Sequence, residues 1–283
     1  MIHLDAASFL LQWAVGGLFF TWITTRRREV GLGYGWLQRG VFIVMALGSV
    51  AIAQVTGTVL VRDIAAVGVA LAAGAASVVS VQRRAAGVAG QRETVERRSA
   101  RVAAMTGIER DEQHFDKDGL EFPPWLDLIA PAVGLVGLVA AGIDAGSPAW
   151  LSVARMLVGA AFLGSVTNAM LLGHWYLVQP GLARSPLLEL VRWTGWLWPA
   201  EVAVMLLPVG MISVLNGTID DSYGGILGWM WVTCALTTLG LIVVTRLALK
   251  ERQYSAVMAA TGLLYLAILT AFGTDLVARA LLS

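Results

Sequence analysis

Eight apolar stretches run through this chain, most of them close to or beyond the roughly 20 residues that a helix needs to cross a hydrocarbon core. They lie at about 7–25, 40–60, 63–82, 126–145, 150–176, 187–213, 224–247 and 254–275. Backbone in lipid must satisfy its own hydrogen bonds, so stretches of this kind read as helices. The expectation is an all-α polytopic transmembrane bundle of about eight spans. Composition agrees: 57% of the 283 residues are hydrophobic and 14% charged, with a mean hydropathy of +0.72. A soluble domain carries about 25% charged residues.

The distribution of positive charge orients the bundle, because Lys and Arg concentrate at cytoplasmic span ends. Seventeen of the 20 basic residues fall on one side of the proposed layout. These are Arg26, Arg27, Arg28 and Arg39, eight between positions 83 and 117, then Arg184, Arg192, Arg246, Lys250 and Arg252. Only Arg62, Arg155 and Arg279 fall on the other. Both termini are therefore expected on the non-cytoplasmic side. The first stretch has Arg26-Arg27-Arg28 behind it and no basic residue ahead of it, the reverse of a secretory leader, so it reads as a span.

Three regions follow. Residues 1–82 hold three helices, 83–125 form a charged cytoplasmic loop, and 126–283 hold five helices. Positions 91–106 of the loop carry no Pro or internal Gly, and Glu93 and Arg97 stand four apart in the favourable order, so a helix continuing from the third span is expected. The loop turns acidic at Asp111, Glu112, Asp116, Asp118 and Glu121. It reads as a self-complementary hairpin, as a docking surface for partner subunits or as a solvated loop; its arginines also suit anionic lipid headgroups. Membrane lipids are expected neighbours, and nucleic acid is not. Gly68, Ala72 and Ala76 repeat at four-residue spacing, as close helix contact requires.

Ionisable and polar groups inside spans are costly, so each needs a reason. Glu201 lies twelve residues beyond Glu189, about 18 Å along a helix axis, which puts it near the middle of the sixth span. Thr194, Trp198, Glu201, Met205 and Pro208 share one stripe. Pro199 and Pro208 free the carbonyls of Gly195 and Val204. A carboxyl and freed carbonyls on one face suit a proton path, or else Glu201 is a protonated or arginine-paired packing group. A second candidate is the string His174-Trp175-Tyr176 with Gln179 and Arg184, at the cytoplasmic end of the fifth span. Trp193, Trp196 and Trp198, with Arg192 as a cation–π partner, are expected to face it. Together these could frame a quinone ring, with His174 passing protons; interfacial anchoring is the plainer alternative.

Other chemistries find no support. His174 is the only histidine within a span, so the chain alone offers no bis-histidine haem site. The string Asp116-Lys117-Asp118-Gly119 lacks the twelfth-position glutamate of a calcium loop, and no metal site is expected. Cys234, the one cysteine, excludes an internal disulfide and reads as a buried thiol. No phosphate-binding or nucleophile-elbow motif is present. Asn216-Gly217-Thr218 fits a glycosylation sequon that matters only in a glycosylating host.

Three functional classes remain. The chain could be a membrane subunit of a redox or energy-conserving complex, contributing a quinone pocket or proton path. It could instead be an autonomous proton-coupled transporter, although it shows no visible internal repeat, or a scaffold or assembly subunit. Abundant Ala, Val, Gly and Arg with little Lys suggest a GC-rich genome and a bacterial cytoplasmic (inner) membrane.

Overall fold

The computed structural model describes residues 5–93, 95–97, 115–116, 119–179, 181–251 and 253–282. Among these there is no strand. The helices are α1 (Ala6–Thr25), α2 (Leu32–Thr56), α3 (Leu60–Gln82), α4 (Ile129–Ala145, entered through a 3₁₀ turn at Pro124–Leu128), α5 (Ala149–Val178) and α6 (Ser185–Leu206). A short α7 (Gly210–Leu215), then α8 (Ile226–Ala248) and α9 (Tyr254–Leu281), complete the chain. Seven of these elements are long and apolar enough to cross a membrane by length and composition. The long helix that falls short of this is α6, which carries Glu189, Arg192 and Glu201.

Helices α1 and α5 form the centre, and about 72% of each apolar window is buried. A helix that is apolar all round belongs in an interior. Helices α2 and α3 lie on the α1 side, α4 packs against both central helices, and α6 and α9 pack on α5, with α8 against α6 and α9. The central pair comes unusually close. A Cβ built on Gly16 would sit 1.7 Å from the Ala160 carbonyl oxygen, and one on Gly164 only 2.2 Å from the Gly16 backbone. Of the small residues expected to pack in α3, Ala76 is buried and Gly68 faces Val133 of α4.

Consecutive long helices run antiparallel, so alternate connections gather at opposite ends. At one end Arg26 and Arg27 pair with Glu189. There the Gly31 N–H also donates to Gln179 Oε1 at 3.0 Å, and Arg184 donates to the carbonyls of Glu251 and Gln253. At the other end Arg62, 1% exposed, binds Asp5, Asp63, Ser8 and the Gly57 carbonyl. Burial works to raise Asp5, but the Ser8 hydroxyl, the Ala7 N–H and the Arg62 charge outweigh it and hold this carboxyl below its usual range. Asp221 is likewise held low, by N–H groups of Gly225, Tyr223 and Leu227 that lead into α8.

Several expectations need correction. Helix α3 does not continue into the loop: it ends at Gln82, the chain turns through Gly87 (φ +61), and helix resumes at 89–93 and 95–97. Glu93 and Arg97 do pair, at 3.5 Å. The loop's two charge signs meet at Glu121, which binds Arg28 and Arg92 and accepts from Arg83 through its carbonyl. Arg98, Arg101, Asp111, Glu112 and Asp118 lie outside the described residues. The sixth stretch is broken after Leu206, where Pro208 has no N–H to continue the ladder. Finally, Arg39, Arg62, Arg155 and Arg279 are not connecting-segment residues. All four are buried.

A fully buried Asn168 joins three helices. Its Nδ2 donates to the carbonyls of Gly17 (2.9 Å) and Gly164 (3.0 Å), while its Oδ1 accepts from Tyr34 (3.0 Å) and Thr21 (3.3 Å). Asn168→Ala leaves the Tyr34 hydroxyl only its long 3.4 Å bond to the carbonyl of residue 168, takes a donor from the Gly17 carbonyl, and is expected to cost about 1–2 kcal/mol. Unfolding in mixed micelles reads this directly, with exposed Asn216→Ala as the unchanged control.

Candidate functional site

The buried charge of this bundle is concentrated where α5, α6 and α9 meet. Arg279 of α9 donates from Nε to Asp275 Oδ1 at 2.8 Å, one helical turn away, and from Nη2 to the Arg155 carbonyl at 3.1 Å. Gln12 of α1 donates to Asp275 Oδ2 at 3.3 Å. This packing needs a bare backbone opposite it, because a Cβ on Gly159 would lie 2.5 Å from Gln12 Nε2 and 2.9 Å from Asp275 Oδ1.

Arg155 of α5 reaches across to the broken end of α6. Its Nε donates to the Val204 carbonyl at 2.8 Å and its Nη2 to the Leu207 carbonyl at 2.6 Å. The Val204 carbonyl is the one that Pro208 deprives of its helical donor, so an arginine has replaced the missing N–H. Gly210, with φ +33, returns the chain beneath it; a Cβ there would lie 2.1 Å from the Met205 carbonyl.

Glu201 of α6 is fully buried; no donor among the described residues reaches its carboxylate oxygens, while the Asp275 side chain comes close enough to share a proton with it. The charged groups acting on it are Asp275, Arg279 and Arg155. Of its expected stripe, Thr194 and Met205 are also fully buried and Trp198 is half-buried, but Pro208 is exposed and lies beyond the end of α6. Its depth also differs from the expectation. Glu201 sits five residues from the end of α6, level with Arg155 near the start of α5, so it is off-centre toward the end where the chain termini lie.

A cavity of about 300 Å³ opens at that end, with Arg155 in its wall. Ser147, Ser152 and Ser213 supply hydroxyls, and Pro148, Leu151, Pro208, Val209, Ile219, Leu281 and Leu282 the apolar remainder. A second cavity, of about 420 Å³, lies between α1, α4 and α5 and has apolar walls throughout, among them Phe19, Leu135 and Leu157.

The aromatic candidates are scattered rather than gathered. His174 is exposed and shares a 3.3 Å hydrogen bond with Tyr265 of α9. Trp175 donates to Gln179 Oε1 at 3.2 Å, and Tyr176 donates to the Ala183 carbonyl from a buried position. Trp193 packs edge-on against Phe20 and Trp196, and Trp196 itself is 62% exposed. Trp198 donates to the Ala235 carbonyl of α8 at 2.8 Å. Arg184 is held by loop carbonyls, and Arg192 is exposed; the cation–π pairs among the described residues are Arg26 on Trp22 and Arg39 on Phe122. None of these nine residues lines either cavity. His174 stands nineteen residues from Arg155 along α5, about 28 Å, so it and Glu201 are separate sites.

No family model, curated protein or solved structure matches this chain. Its chemistry therefore rests on the cluster itself. Sequence reasoning found Glu201, placed Arg155 and Arg279 only on the outer side of the layout, and did not single out Asp275. The available signal was the four-residue spacing of Asp275 and Arg279, which places opposite charges on one helix face.

Proposed function

We propose that this chain is an integral protein of a bacterial cytoplasmic membrane in which Glu201 carries an exchangeable proton. In this reading it crosses the bilayer eight times with both termini on the non-cytoplasmic side, α6 included. The observation that carries the proposal is a fully buried carboxyl with no hydrogen-bond donor, set among two guanidiniums and a second carboxylate. An ionised carboxylate without donors is costly in an apolar interior. A group poised between a neutral state beside the Asp275 carboxylate and a charged state facing Arg155 and Arg279 can take up and release a proton.

The setting we favour is a membrane subunit of a redox or energy-conserving complex, with partners docking at the charged 83–125 segment and holding the redox centres. A quinone arriving through the bilayer would meet the exposed His174–Tyr265 pair. A proton-coupled transporter is the second reading, and the 300 Å³ cavity at Arg155 favours it.

Infrared spectroscopy of the protein in lipid discs tests the proton assignment. A protonated-carboxyl band should appear and vanish as bulk pH is cycled, and Glu201→Gln should remove it while the folded yield stays unchanged. In liposomes, the same substitution is expected to slow proton passage about a hundredfold. A titrating band that persists in Glu201→Gln, or no titrating carboxyl at all, overturns the assignment.

A further inference from the structure

Among the described residues four arginines are buried, and three of them have an aspartate: Arg39 with Asp127, Arg62 with Asp5 and Asp63, Arg279 with Asp275. Arg155 forms no ion pair with any described carboxylate. It is 4% exposed, and its hydrogen bonds run from Nε and Nη2 to two backbone carbonyls, leaving Nη1 unused. A buried guanidinium with only carbonyl partners is an under-compensated charge. The same side chain forms part of the wall of the 300 Å³ cavity, whose other polar lining is hydroxyl and backbone and which no carboxylate lines.

We infer that this cavity is a binding site for a small monocarboxylate, whose anionic head meets Arg155 and whose short apolar body lies against Leu151, Val209, Ile219 and Leu281. A single halide would leave most of the volume unfilled, and a neutral molecule would leave the guanidinium uncompensated. The serine hydroxyls of Ser152 and Ser213 suit the second carboxylate oxygen, and the apolar walls select a chain of a few carbons.

The inference rests on the proton assignment at Glu201 and gives it a ligand. Glu201 faces Arg155 from α6, and Asp275 and Arg279 face it from α9. Helix α8, which also packs on α6, carries the thiol of Cys234, half-buried rather than buried and facing Gly273 of α9, and Arg246 in its last turn at the opposite end; α4, which packs on α5, carries the exposed Asp144 in its last turn, and α1 and α7 contribute no ionisable side chain there. With Glu201 ionised, the four charges of the cluster cancel. With Glu201 protonated, one positive charge is uncompensated, and an anion on Arg155 restores neutrality. Proton and carboxylate therefore bind together, and by linkage each strengthens the other equally.

Calorimetry on the full chain in lipid discs tests this with butyrate as the probe. Butyrate is expected to bind about tenfold more tightly at mildly acidic than at mildly alkaline pH. Butyramide should not bind. Glu201→Gln, permanently neutral, should bind butyrate tightly at both pH values. Ser213→Trp, which puts a large side chain into the cavity from its lining, should abolish binding while the Glu201 carboxyl band still titrates; Arg155→Lys should weaken binding and keep the fold. Absence of butyrate binding to the wild type while that band titrates overturns the carboxylate site and leaves the proton assignment intact. Equal affinity for chloride and butyrate overturns the ligand class. Unchanged pH dependence in Glu201→Gln overturns the coupling, and a band that never titrates overturns the proton assignment itself.

Discussion

Gly16→Ala is expected to cost more than about 3 kcal/mol and to leave little folded protein in the membrane. The added methyl would lie 1.7 Å from the Ala160 carbonyl oxygen, which is backbone and cannot swing aside. To admit it, α1 and α5 must separate along their whole crossing, and these two helices are the bundle's centre. Gly164→Ala should behave in the same way, because its Cβ would meet the backbone of Gly16. Gly40→Ala is the control: nothing lies within 4 Å of its added carbon, and a helical Ala is favoured over Gly by about 0.5–1 kcal/mol. Thermal unfolding in detergent, followed by fluorescence of the tryptophans, should separate the three. A Gly16→Ala protein as stable as the wild type would mean the central crossing is looser than this geometry.

Asp275→Ala is expected to cost about 3–5 kcal/mol, because it removes the ion-pair partner of Arg279 in a site that is 3% exposed, where the one carboxyl left near it is Glu201. The penalty comes from the orphaned guanidinium rather than from the loss of the pair. Asp275→Ala combined with Arg279→Met should therefore recover most of the stability, since an apolar pair of similar volume is often neutral. The double variant also asks what the cluster is for. If it serves only packing, the folded double variant should behave like the wild type in proton exchange. If it sets the charge around Glu201, proton exchange should remain lost in a folded protein. Recovery of both stability and exchange would remove Asp275 and Arg279 from the mechanism.

The helix content and most helix ends were legible in the sequence because they depend on local properties. The predicted 63–82 and 150–176 stretches lie within α3 (Leu60–Gln82) and α5 (Ala149–Val178), since apolar length is set residue by residue. Glu201 was legible as a candidate for the same reason: an acid inside an apolar run is conspicuous wherever the run packs. The gathering of the basic connections at one end also follows from an alternation visible in one dimension.

What the sequence could not decide was which charged residues share a site. Arg155 and Arg279 stand 124 positions apart, yet one donates to the other's backbone carbonyl. Both read as span-end arginines because a basic residue near the end of an apolar run usually serves topology or snorkels to the interface. Here the helices extend past the apolar runs, as α9 does from the expected 275 to Leu281, and carry those ends into the bundle. The aromatic string at His174 misled for the converse reason. Adjacent residues on a helix point about 100° apart, so a conspicuous sequence cluster is dispersed over several faces, against α9 for His174 and inward for Tyr176. Composition and periodicity determined that this chain is a membrane bundle with a buried acid. Tertiary packing alone decided that the acid belongs to a four-charge cluster behind an open cavity, because charge pairing is a property of distance in space.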